Sequence, residues 1–186
     1  MKKIDYESLC VDACVFAQLD AEKIQMLHVI APDIRLRLHE VTEQFYQHLL
    51  AIPRVRPYLE TQTERLQDAH YEWLSGLFSA SFDANYAQEI AVLGDIHGRI
   101  QLPAEFMAGA MSIIQGYFIG LLREVYAEQP EILLDAVLAI NSALGFSLYV
   151  MQSSYQSSSV DNELERFLSI TGMSRSLFEN LSRVQR

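Results

Sequence analysis

After Pro130, apolar residues recur at Leu133, Val137, Ile140, Leu144, Leu148, Met151 and Tyr155. The steps of three and four residues mark one face of an α-helix, and the run is far too long for a strand. Pro103 opens a second such run through Phe106, Ala110, Ile113, Tyr117, Leu121 and Val125. Two long amphipathic helices in succession must bury those faces against other helices or against each other. Gly and Pro number only 8 and 5 in 186 residues, and no two-residue alternation competes. The fold class expected is all-α.

The rest of the chain divides at recognisable punctuation. Residues 5–19 read as a short first helix. Asp20 reads as the N-cap of a two-turn helix that ends near Ile30. Pro32 suits the first turn of the next helix, which carries Leu36, Val41, Phe45, Leu49 and Ile52 up to Pro53. Residues 54–57 are a break. Thr61 or Thr63 starts a helix with Leu66, Ala69, Trp73 and Leu77 on one side, and Asp83 caps the one that follows. Residues 153–159, rich in serine, read as a fraying helix end or linker. Asp161 then caps a short helix that Gly172 stops, and a last piece contains Leu177, Phe178 and Leu181. The division expected is a main domain over 1–158 and a helical extension, or the start of a linker, over 159–186.

Fourteen Lys and Arg stand against 24 Asp and Glu, a net charge of −10. The basic residues are scattered, so phosphate-rich partners are excluded: no nucleic acid, and no anionic lipid surface. Half the residues are hydrophobic, which excludes a disordered chain. The N-terminus has no apolar leader core and no apolar run is expected to reach transmembrane length, so a soluble, cytoplasmic protein without membrane insertion is expected. Cys10 and Cys14 share a helix face with no His or Cys to complete a zinc set. They read as small, partly buried residues in a reducing compartment.

One imidazole stands out. A helix through Ile90, Leu93, His97 and Ile100 turns His97 toward the apolar interior, with no second ligand at chelating spacing. A lone interior His is often a hydrogen-bonded core residue. It also suits an iron that brings its other ligands with it, as haem iron does. The pattern is met equally by a plain helical bundle and by a globin-like stack around a haem pocket.

Several blocks in order carry a resemblance. These are Phe45-Tyr46 with Leu49; His70-x-x-Trp73-Leu74 with Leu77 to Asp83 and Tyr86; and Ile96-His97-x-Arg99-Ile100-x-Leu102-Pro103. Together with the pre-helix from Leu19-Asp20 to Ala31-Pro32, they resemble the globin-coupled sensor family of bacteria over about residues 15–155. The resemblance implies a globin-like fold with an extra N-terminal helix and two long C-terminal helices. It implies haem b, held non-covalently because no Cys-x-x-Cys-His is present. His97 would be the proximal iron ligand and Tyr46 the distal hydrogen-bond donor to bound O2. Leu66 and Ala69 would lie over the haem, beside Phe45. Phe106 would stack on the proximal side. Arg99 and His70 would either meet a propionate or be merely solvated helix-surface groups. Trp73 and Phe78 are expected to fill core, and His28, His39 and His48 have no role. The chain departs from the family twice: Gln101 stands where glycine is usual after the Arg-Ile pair, and Phe106 lacks the hydroxyl common near its position.

The function this implies is reversible O2 sensing (CO and NO being alternative ligands), with signalling through a homodimer formed by the helices after Pro103 and Pro130. No enzymatic activity is expected within the chain itself. Two other readings fit the residues: a single-domain globin for oxygen binding or nitric oxide detoxification, and a haem-free helical signalling module.

Overall fold

The computed structural model describes residues 4–184. Met1 to Lys3, at the start of the segment read above for a leader, lie outside the described residues, as do the side chain of Leu181 and the last two residues. Among the described residues the chain is entirely helical and has no strand. Eight α-helices follow in order: α1 (Tyr6–Ala17), α2 (Ala21–Arg35), α3 (Leu38–Ala51), α4 (Thr63–Leu77), α5 (Ala84–Arg99), α6 (Ala104–Val125), α7 (Pro130–Thr171) and α8 (Arg175–Val184). A single 3-10 turn, Arg56–Tyr58, sits between α3 and α4.

The helix starts follow from local chemistry. The Asp5 carboxylate accepts from the N–H groups of Glu7 and Ser8, Asp20 from Lys23 at 2.9 Å, and Asp83 from Tyr86 at 2.9 Å. Each satisfies donors that the first helical turn leaves unpaired. Gly172, at φ +68°, ends α7 in the left-handed conformation that a residue without Cβ adopts freely.

Three expectations are corrected. Pro32 does not begin a helix; it lies inside α2, which continues to Arg35. The ring removes one ladder bond, to the carbonyl of His28, an exposed residue. Leu27, Ile30 and Ile34 bury one continuous face across the proline, and that burial outweighs the lost bond. Next, the serine-rich stretch 153–159 is neither frayed nor a linker. It is helical within α7, which runs unbroken for 42 residues, and Asp161 is an interior residue rather than a cap. Ser154 donates back to the Val150 and Met151 carbonyls, so its hydroxyl is satisfied within the helix. Finally, α6 and α7 are both long and apolar enough, by length and composition, to cross a bilayer. Much of that apolar surface instead faces neighbouring helices.

Helix α7 is the centre of the assembly, packing against α1, α2, α5 and α6, while α3 lies against α4 and α6. Ile140, Leu144 and Met151 of the anticipated stripe are buried, but the deepest α7 positions also include Ala136, Ala139, Ala143, Ser147 and Val150. Small side chains there let a neighbouring helix approach closely. The partner is α5: a Cβ on Gly94 would collide with the Met151 carbonyl oxygen and Ser154 Oγ, and one on Gly98 would lie 2.9 Å from Ser158 Cβ. The helix that carries His97 is thus seated backbone-to-backbone on α7.

Candidate functional site

His97 sits in the last turn of α5, between Gly94 and Gly98 in sequence and half-buried. Burial holds its ring below the ordinary histidine pKa; the Leu93 carbonyl one turn back works the other way without completing a hydrogen bond to Nδ1. The imidazole is therefore neutral, and its buried Nδ1 has no partner.

The turn after His97 is closely defined. Leu102 N–H donates to the His97 carbonyl at 3.0 Å and Gln101 N–H to that of Gly98 at 3.1 Å. These are the two bonds of a Schellman cap. Gln101 occupies its left-handed position at φ 54°. The conformation that glycine adopts without penalty is thus kept here by a residue with a Cβ, at roughly 1–2 kcal/mol. Side chains from α7 hold the turn: Tyr155 Oη donates to the Leu102 carbonyl at 2.8 Å, and Asn162 Nδ2 to that of Gly98 at 3.3 Å.

A second group of residues gathers between α3 and α4. Phe45 and Tyr46 are buried, with their rings edge to face at 5.3 Å. His70 lies flat on Phe45 at 4.5 Å and edge-on to Tyr46 at 5.6 Å. Trp73 tilts against His70 at 5.5 Å. The Tyr46 phenol donates to the Leu66 carbonyl at 3.0 Å, and burial pushes its pKa up to about 12. Leu66 is half-buried against the core, and Phe78 is buried within it.

The remaining candidates stand apart. Ala69 is exposed on α4. Arg99 is also exposed and pairs with Asp95 one turn back at 2.5 Å, a surface contact of little energetic weight. Phe106 is half-buried on α6, edge-on to Tyr58 at 6.2 Å, with the Arg54 guanidinium 5.3 Å from its ring centre. Grooves of about 110 Å³ beside Arg37 and Glu124 and about 390 Å³ beneath Gly172 gather none of these residues. Cys10 and Cys14 are partly buried free thiols, as expected. Burial raises both pKa values, that of Cys10 to about 11, and Cys10 Sγ donates to the Phe82 carbonyl.

His70 is not the solvated surface group that was one reading of the sequence. Burial pushes its pKa down to about 4, its Nδ1 lies 3.2 Å from the buried Thr42 hydroxyl, and its Nε2 is buried without a partner. The sequence signal was available: Thr42, Phe45 and Tyr46 present one face of α3, and the His70-x-x-Trp73 pair must meet it. A pH dependence follows for the haem-free protein. Between about pH 6.5 and 4 the unfolded chain takes up a proton that folded His70 refuses. Stability is therefore expected to fall as pH drops through that window, and His70→Gln should flatten the slope in urea titrations.

The donors present fit a haem iron. Two neutral imidazoles, His97 and His70, each keep a buried ring nitrogen unpaired, a cost of about 1–3 kcal/mol for such a group. Among the described residues no three His, Cys, Asp or Glu side chains are grouped as ligands. A metal at His97 would therefore have to arrive with ligands of its own, as a porphyrin iron does.

The helix order, with the long α6–α7 pair behind an imidazole-bearing α5, defines a globin-like domain. The model of the family described as Protoglobin matches residues 7–160. The chain belongs to the protoglobin family. Its fold is shared with the globin domain of a Geobacter sulfurreducens globin-coupled sensor, at a TM-score of 0.72 and 23% identity over 78% of this chain and 97% of that one. It is also shared with the ferric globin domain of E. coli DosC, at 0.64 and 18%, over 78% and 99%. No curated protein matches.

Proposed function

We propose that this chain is a haem-based gas-sensing globin domain with O2 as its ligand. One observation carries the reading: in a protoglobin-family chain, a neutral, half-buried imidazole with an unpartnered nitrogen ends the helix seated on α7. Haem b, when bound, supplies an iron that takes up a diatomic gas, whether O2, CO or NO. The protein's own residues do the rest. His97 holds the iron, and the capped turn behind it fixes where the ring points. Phe45, Leu66 and Phe106 supply apolar wall, while exposed Ala69 and Arg99 stand at the edge. Tyr46 provides the distal donor. Its proton now serves the Leu66 carbonyl, so turning it toward a ligand exchanges one hydrogen bond for another of similar worth, about 1 kcal/mol.

Signalling is assigned to a two-fold dimer through α6 and α7. Ile119, Leu134 and Leu138 are exposed apolar residues on these helices, and Gly109, Gly116 and Gly120 of α6 face open space. Such a face admits a second helix pair at close range. The domain reports ligand binding and catalyses nothing itself. It works as a soluble, cytoplasmic protein, its acidic surface keeping it from anionic membranes.

The test is optical. Protein supplied with haem should show a Soret band that His97→Ala abolishes or strongly weakens, with helicity by circular dichroism unchanged. A wild-type protein that stays colourless after haem supplementation would overturn the reading in favour of a haem-free helical module.

A further inference from the structure

The turn that follows His97 is held from outside as well as from within. Its own sequence does not favour its shape: Gln101 carries a Cβ through a left-handed backbone at φ 54°, where glycine would sit without strain. Pro103 then leads the chain into α6, whose ladder begins at the Pro103 carbonyl and leaves the Leu102 carbonyl outside it. Two side chains of α7 make up for this. Tyr155 Oη donates to that Leu102 carbonyl at 2.8 Å, and Asn162 Nδ2 donates to the Gly98 carbonyl at 3.3 Å. The two residues lie two helical turns apart on α7 and grip the His97 turn at both ends. Between them stands Ser158, whose Cβ would lie 2.9 Å from a Cβ on Gly98, so the turn has no room to move toward α7. It can move only away, and the two hydrogen bonds oppose that.

We propose that Tyr155 and Asn162 are positioning residues that hold His97 back against α7 and so set the gas affinity of the iron. The proposal rests on the haem reading above. A gas whose binding draws the proximal imidazole away from α7 must stretch or release this clasp, and the work done there is subtracted from its binding free energy. Linkage makes the effect reciprocal: the factor by which the clasp lowers gas affinity is the factor by which bound gas weakens the clasp. The two bonds join the α5–α6 junction to the C-terminal half of α7, so the residues that tune the iron also report its ligand to that helix.

The test uses the full chain loaded with haem. In the ferrous state Tyr155→Phe, which removes only the hydroxyl, should shift the iron–imidazole stretching band in resonance Raman spectra to higher frequency and slow CO and O2 release several-fold. Asn162→Ala should act in the same direction with a smaller shift, its bond being the longer one. Gln101→Gly lets the turn keep its shape unaided, so adding it to Tyr155→Phe should return both band and release rate toward wild type. Relief of strain restores stability whatever Tyr155 does, but it restores the band only where the position of the turn sets it. The Gln101 and Leu102 amides, which donate to the Gly98 and His97 carbonyls, should exchange hydrogen several-fold faster in wild type once CO binds. In Tyr155→Phe they should exchange fast with or without CO. An unchanged band and release rate in Tyr155→Phe overturns the proposal while leaving haem binding intact, and so does wild-type exchange indifferent to CO. That last measurement needs no variant, so a misfolded variant does not obscure the outcome. Absence of any Soret band in wild type removes the haem reading and this proposal with it.

Discussion

Gly94→Ala is expected to lower the melting temperature by roughly 10 °C. The added Cβ would meet the backbone carbonyl oxygen of Met151 and the hydroxyl of Ser154. Neither can rotate away, because one belongs to the α7 ladder and the other is bonded back into it. Overpacking of this kind costs about 1–3 kcal/mol where side chains yield, and more where backbone is struck. Each kcal/mol corresponds to about 2–4 °C in a chain of this length. Gly76→Ala in α4 is the control: a Cβ there would meet nothing within 4 Å, and alanine favours a helical position by up to about 1 kcal/mol. It should be neutral or stabilising. Differential scanning calorimetry on the pair decides the matter. Equal melting temperatures would mean that the α5–α7 seam is looser than described.

Phe146→Ala should cost about 3–5 kcal/mol, the range for a fully buried aromatic. Phe146 has no exposed surface and meets Phe82 edge-on at 5.3 Å and Tyr86 in a stacked arrangement at 6.0 Å. Phe82 stands immediately before the Asp83 cap of α5 and holds a left-handed backbone at φ 52°. Removing the ring beneath it opens a cavity and also releases the residue that sets where α5 begins. A lower urea midpoint is expected and, on the proposed role of His97, faster haem loss as well, since the start of its helix is freed. A stability loss without faster haem loss would confine Phe146 to a packing role.

The helical class, the capping aspartates and His97 were legible because each has a signature in side-chain type and spacing. Asp20 and Asp83, read as caps, do cap α2 and α5, whereas Asp161, read the same way, lies inside α7; His97 interrupts an apolar face. What was not legible depends on distance between elements. Pro32 and the serines of 153–159 are breakers by propensity. Tertiary packing overrode both, because Leu27 to Ile34 and the α5 seam bury too much to be interrupted. The seam carries no large-apolar signature in the sequence, because closest approach is made with glycine and serine. His70 looked like a surface residue until its neighbours on α3 were in place. Gln101 looked like a departure from a glycine position, yet its backbone adopts the glycine-like conformation.

Between Gly145 and Gly172 the chain contains neither glycine nor proline, and α7 passes through that interval without a break. Helices bend sharply at such residues or at bulges, so this stretch behaves as a lever arm with its fulcrum at the α5 contact. Beyond Asn162, which still bonds the α5 turn, the arm to Thr171 is about 14 Å long at 1.5 Å per residue. A tilt of about 5° at its base moves the far end by about 1 Å. Because the arm has no joint in which motion is absorbed, whatever displaces His97 against Gly94 and Gly98 arrives at Thr171 amplified rather than damped.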